Sequence, residues 1–163
     1  MRKFEIISEE QWAKDISSLD NPQCAVIDHL KPHRSTKHSA GYDFISPIEI
    51  IIPAHGMAKI PTGIKAQMNE DEVLYIYSRS SIGFKTAIRL SNVVGVVDCD
   101  YYNNPDNEGH IMLPLINHGE KAVKIARGMR VAQGIFYRYL LVDGDRAGCG
   151  AGRGGGFGST GDR

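Results

Sequence analysis

Several residues of this chain are of types that meet phosphorylated ligands. The run Arg153-Gly154-Gly155-Gly156-Phe157-Gly158-Ser159-Thr160-Gly161 sets one aromatic ring among glycines, with a guanidinium before it and two hydroxyls after it. Guanidinium, hydroxyl and bare backbone N–H groups are all phosphate ligands, and a lone Phe offers a flat face to a base. Upstream, Arg79-Ser80-Ser81 joins a second guanidinium to two hydroxyls. The stretch that follows, Ile82–Ile88, can form a short helix with its first N–H groups exposed. An anion placed there gains from the local dipole and the backbone donors. Asp98 ends the apolar run Val93–Val97. A carboxylate leaving a buried strand is desolvated on one side, which suits a general base. Asp43 supplies hard oxygen ligands of the kind Mg²⁺ accepts. Each group also has a plain structural use: a serine helix cap, a turn-forming aspartate, a glycine linker.

These groups have to be held by something. Ser8-Glu9-Glu10-Gln11 fits a capping box, and Trp12, Ile16 and Leu19 follow at helical spacing, so a short N-terminal helix is expected, ended by Asn21-Pro22. Beyond it the texture is that of strands: Cys24–Ile27, Ile48–Ile52, Met57–Ile64, Val73–Tyr77, Val93–Val97, His110–Ile116, Ala122–Ile125 and Val131–Tyr139. They are short, rich in Val, Ile and Tyr, and punctuated by Gly, Pro, Asn and Asp. No βαβ rhythm is present, so the fold class is all-β, a jelly-roll-like double sheet or barrel. From Arg146 to Arg163, 8 of 18 residues are glycine. The division is therefore an N-terminal helical extension at 1–22, a β domain at 23–145 and a glycine-rich, flexible C-terminal arm at 146–163, closing over a nucleotide.

Lys plus Arg and Asp plus Glu number 19 each in 163 residues, so the formal net charge is zero. That argues against nucleic-acid and membrane surfaces, which need a basic excess. No apolar run approaches the roughly 20 residues of a membrane span, and no signal peptide is visible behind the basic start. Cys24, Cys99 and Cys149 form no C-x-x-C pair, which favours reduced thiols and a cytoplasmic location. The six histidines lack metal-site spacing and are expected in loops or on the surface.

The chain resembles the trimeric all-β dUTPases, the β-clip hydrolases, in five motifs that occur in the family's order. They are Ala40-Gly41-Tyr42-Asp43-Phe44, Ser78-Arg79-Ser80-Ser81, Asn92-Val93-Val94-Gly95-Val96-Val97-Asp98-Cys99-Asp100-Tyr101, Gly128-Met129-Arg130-Val131-Ala132-Gln133, and the Arg153–Gly161 arm. The resemblance implies hydrolysis of dUTP to dUMP and pyrophosphate, which keeps uracil out of DNA and supplies dUMP for dTMP synthesis. It implies that Asp98 activates a water for in-line attack on the α-phosphorus. Arg79, Ser80, Ser81, Gln133, Arg153, Gly158, Ser159 and Thr160 are then phosphate-side residues, and Phe157 stacks on uracil. Asn92 and the backbone of Val96, Val97 and Met112 on a hairpin read the base, and Tyr101 lies against the deoxyribose. Mg²⁺ sits on the triphosphate, with Asp43 touching it through water. The partner implied is another copy, in a homotrimer with shared sites.

One departure stands out. Where the family has D-Y-x-G, this chain has six extra residues between Tyr101 and Gly109. Two other readings arise. A dCTP deaminase shares the fold but needs a glutamate where Pro114 stands, and proline carries no proton. A non-catalytic nucleotide-sensing regulator gives no reason for Asp98 to accompany phosphate ligands.

Overall fold

The computed structural model describes residues 1–17 and 31–145. The expected strand Cys24–Ile27 and the arm from Arg146 lie outside the described residues. The largest sheet has the order β2 (His33–Arg34), β3 (Tyr42–Ile45), β12 (Arg130–Arg138), β7 (Glu72–Ser78), β9 (Val94–Asp98). A three-stranded sheet runs β5 (Met57–Pro61), β10 (Met112–Asn117), β8 (Ile88–Leu90). Two further antiparallel pairs join β1 (Lys3–Ile6) to β6 (Ile64–Gln67) and β4 (Ile50–Ile52) to β11 (Val123–Ile125). The fold is all-β and jelly-roll-like, and its sheets do not close into a barrel.

Alternation places the core. In β7, Leu74 and Ile76 point inward while Tyr75 and Tyr77 point outward; in β10, Leu113 and Leu115 point inward. Phe44, Ile52, Ile60 and Leu74 have no measurable exposure, and each such side chain contributes about 1.5–3 kcal/mol by leaving water. Gly134 lets the central strand close. A Cβ there would lie 2.9 Å from the Phe44 ring and 3.0 Å from Leu74.

Three expectations are corrected. The N-terminal extension is not only helical, because Lys3–Ile6 forms β1 and the Phe4 ring packs 5.6 Å from Phe44 and 5.4 Å from Phe136. Met57–Ile64 is not one strand, because the chain turns at Gly63 with φ 73° between β5 and β6. The base-reading hairpin is not formed either. β9 pairs with β7 in the large sheet, whereas β10, with Met112, pairs with β5 and β8.

The helix α1 (Glu9–Ile16) stands where the capping box puts it. Ser8 Oγ accepts from the Gln11 N–H at 3.1 Å. The reciprocal half comes from elsewhere. Glu108, in the inserted loop, accepts from the Ser8 N–H at 3.1 Å and from the Ser8 hydroxyl. Extension and insertion are therefore packed on each other.

Candidate active site

Residues of three motifs meet at one end of the large sheet. β7 ends at Ser78 and turns into α2 (Ser80–Lys85), with Arg79 as an extended N-cap at φ −75° and ψ 139°. No side chain caps this helix, and Ile82 and Gly83 both donate to the Arg79 carbonyl at 3.1 Å. Ser80 and Ser81 are exposed, and as first-turn residues their N–H groups have no partner within the helix. Arg79 Nη1 stands 3.4 Å from Ser81 Oγ, so guanidinium, hydroxyls and amides face one space.

A buried carboxylate holds this group in place. Asp43 is 4% exposed. Its Oδ1 is 2.8 Å from Arg79 Nε, while Oδ2 accepts from Ser35 Oγ at 2.6 Å and from Arg130 Nη1 at 3.3 Å. Arg130 also donates to Ser35 Oγ at 2.9 Å. The resemblance puts Asp43 beside a hydrated Mg²⁺; here both its oxygens are taken by protein donors, and it fixes Arg79. Gln133 stands between Asp43 and Tyr77 in the ladder. A Cβ on Gly41 would come 2.5 Å from Gln133 Oε1, so the glycine of the first motif gives that side chain its room.

Asp98 is at the other end of the sheet. It pairs with Val73, whereas Val94 pairs with Tyr77 near Arg79. At a rise of about 3.3 Å per residue, Val73 and Ser78 lie about 17 Å apart along β7. The expected one-sided desolvation is not found in the single chain, where Asp98 is exposed at the end of β9. Val94, Val96 and Asp98 share the outward face with Tyr75, Tyr77 and Tyr137. Val96 and Tyr137 are 49% and 42% exposed, so this apolar face is open in the single chain.

The remaining candidates divide. Asn92 is exposed in the turn before β9, where Val93 has φ 63°. Val97 is buried, and Met112 is half-buried in the other sheet. Tyr101 closes the 3-10 turn Cys99–Tyr101 and is only 2% exposed. Its hydroxyl donates to the His110 carbonyl at 3.0 Å and accepts from Asn107 Nδ2 at 2.7 Å, so its polar end serves the loop. Arg153, Phe157, Gly158, Ser159 and Thr160 lie outside the described residues.

Comparison with known proteins fits the arrangement to one group. The family model described as dUTPase matches residues 29–161. The chain belongs to the dUTPase family. The Deoxyuridine 5'-triphosphate nucleotidohydrolase of Lactococcus lactis is 53% identical over 131 residues, covering 80% of this chain and 87% of that one. The crystal structure of the dUTPase from Streptococcus mutans is 40% identical and superposes with a TM-score of 0.74 over 87% of this chain and 99% of that one. A mutant dUTPase of phage phi11 of S. aureus, seen with a structural Mg(II) ion, is 17% identical at a TM-score of 0.65 over 91% of this chain and 97% of that one, a likeness of fold.

Sequence reasoning missed two parts of this dUTPase fold. Ser35 and the partner that Arg130 pairs with carry no signal, since Arg130 lies 95 residues from Ser35 and 87 from Asp43. His110, expected in a loop or on the surface, has no exposure. Its Nδ1 is 2.5 Å from Asp15 Oδ2, and its Nε2 accepts from the Gly63 N–H at 2.8 Å.

Proposed function

We propose that this chain is a dUTP diphosphatase, hydrolysing dUTP to dUMP and pyrophosphate, which keeps uracil out of DNA and supplies dUMP for dTMP synthesis. The supporting observation is the Arg79 guanidinium, fixed by buried Asp43 over the uncapped start of α2, in a chain of this family. Such a cluster takes up charge that spreads over phosphate oxygens during phosphoryl transfer. Arg79, Ser80, Ser81 and Gln133 hold the phosphates. Asp98 takes the proton of a water that attacks the α-phosphorus in line, and pyrophosphate leaves. Asn92, Val96, Val97 and Met112 are on the base side. Arg153, Phe157, Gly158, Ser159 and Thr160 belong to the 146–163 arm, which closes the site over the 23–145 domain.

Mg²⁺ is assigned to the substrate. Among the described residues no three His, Cys, Asp or Glu side chains cluster as a metal site, and Asp43 is occupied by two arginines. That donor set suits an ion that arrives on the triphosphate and keeps its waters. When bound, the ion neutralises phosphate charge.

A homotrimer with shared sites fits the same geometry. Asp98 is too far along β7 to reach a phosphate held at Arg79 of its own chain. A neighbouring copy can supply it, across the open Tyr75–Val96–Tyr137 face. Such head-to-tail contacts close into a ring when the rotation permits. Cytoplasmic work suits the free Cys99 thiol, and among the described residues no helix is long and apolar enough to cross a membrane. The deaminase reading meets Pro114 in β10, opposite Lys59.

The test is Asp98→Asn. Binding of dUTP should persist while turnover drops by about 10²–10⁴-fold, the usual worth of a general base. Unchanged turnover would remove Asp98 from the mechanism.

A further inference from the structure

The insertion after Tyr101 is a closed loop. Asn104 is 5% exposed and organises it, with Nδ2 donating to the Tyr101 carbonyl at 2.9 Å and Oδ1 accepting from the Asp106 and Asn107 N–H groups at 3.0 and 3.1 Å. Asn103 N–H donates to the Glu108 carbonyl at 3.0 Å, and Glu108 N–H donates to that of Asn104 at 2.9 Å. The loop therefore holds Tyr101 at both ends, at its carbonyl and at its hydroxyl.

Helix α1 in turn holds the loop. The Gly63 N–H donates to His110 Nε2, which leaves the ring proton on Nδ1 to donate to Asp15. Gln11 Nε2 donates to the same Asp15 oxygen at 2.8 Å. Lys14 reaches the Asp106 carbonyl at 3.0 Å on the exposed side. His110 is fully buried and its ring hydrogen-bonds to Gly63 and Asp15, so its polar contacts serve position. Its carbonyl takes the Tyr101 hydroxyl. A chain of contacts thus runs from Asp15 through His110 to Tyr101, the last residue of the 3-10 turn whose N-cap is Asp98.

We propose that Asp15, His110 and Tyr101 are positioning residues for Asp98, and that the N-terminal helix and the insertion work together to fix the turn carrying the base. The inference rests on Asp98 being the base of the proposed reaction. It gives Tyr101 a role for its hydroxyl that is separable from any contact of its ring with a sugar. It also explains why the two additions to the motif core are packed together. The insertion alone leaves His110 without Asp15, and the helix alone has no loop to hold.

The experiment uses the full chain and steady-state hydrolysis of Mg²⁺–dUTP, with UTP in parallel. Tyr101→Phe keeps the ring and removes one oxygen. It should lower kcat about tenfold, as misplacement of a reacting group does, with KM for dUTP held within about twofold and the dUTP-over-UTP preference unchanged. Asp15→Ala should do the same, and the double variant should be no worse than either single one, as expected for residues in one network. Asp15→Asn, which leaves an oxygen to accept from His110, should restore most of kcat. Glu10→Ala, exposed on the same helix, should leave the rate as it was. Full kcat in Tyr101→Phe, or losses that multiply in the double variant, would overturn the positioning role. If Asp15→Ala does not fold, Tyr101→Phe decides alone. Absence of dUTP turnover in the unaltered chain would instead overturn the proposed function, and this inference with it.

Discussion

A mixing experiment tests whether the site is divided between subunits. Take two chains, Arg79→Ala, which lacks the phosphate guanidinium, and Asp98→Asn, which lacks the base. Each alone should be nearly inactive. Refold them together in equal amounts so that mixed trimers form. Arg79 and Asp98 stand at opposite ends of β7, with Asp98 beside Val73 and Arg79 following Ser78, and the proposed trimer brings them to one phosphate from different copies. In that proposed arrangement each site draws its guanidinium from one copy and its base from a neighbour. Half the guanidinium positions and half the bases are intact, so about a quarter of the sites hold both, given symmetric random assembly. Pyrophosphate release at saturating dUTP should recover to about a quarter of the unaltered rate. If one chain built the whole site, every site in the mixture would carry one defect. Activity no greater than the mean of the two parents, with mixed trimers verified by differential tags, would show that no site is shared between copies.

Asp43→Asn should lower kcat/KM about tenfold by freeing Arg79, with the Mg²⁺ concentration for half-maximal rate unchanged; a shifted metal requirement would return Asp43 to the metal. Gly109→Ala should destabilise the chain by about 1–3 kcal/mol in thermal melts, because φ is 81° and a Cβ would meet the Tyr101 carbonyl at 2.5 Å. Acid should loosen α1. Burial pushes the Asp15 carboxyl up, but hydrogen bonds from His110 and Gln11 and the positive charge of Lys14 outweigh it, so its pKa lies below the ordinary value. A lowered folded pKa stabilises above the unfolded value and is lost as pH falls through the folded one, here below about pH 4. The sole tryptophan, Trp12, is buried beside His110 and should report the loss in its emission; no such acid step should remain in Asp15→Asn.

What the sequence made legible was local. The Arg79-Ser80-Ser81 turn, the Ser8 cap and the Asn92–Tyr101 run are strings whose chemistry depends on near neighbours, and the turn and the cap occupy their expected places. Sheet membership was not legible. Met112 sits in a good strand, but its partner is Pro61 and not a residue of β9, because non-local packing decides pairing. The Met57–Ile64 run conceals a turn, since apolar residues continue on both sides of Thr62-Gly63. His110 resembled any loop histidine until Asp15, 95 residues away, was brought against it. The distance between Arg79 and Asp98 was hidden for the same reason: motif order along the chain carries no information about register across β7 and β9.

The proposed reaction releases pyrophosphate from dUTP through Asp98. The most direct measurement offers dUTP, UTP, dTTP and dCTP with Mg²⁺ to the unaltered chain and to Asp98→Asn, following pyrophosphate and ammonia separately. Pyrophosphate from dUTP alone, lost in Asp98→Asn, is the predicted result. Ammonia from dCTP, or pyrophosphate from all four nucleotides alike, would contradict it.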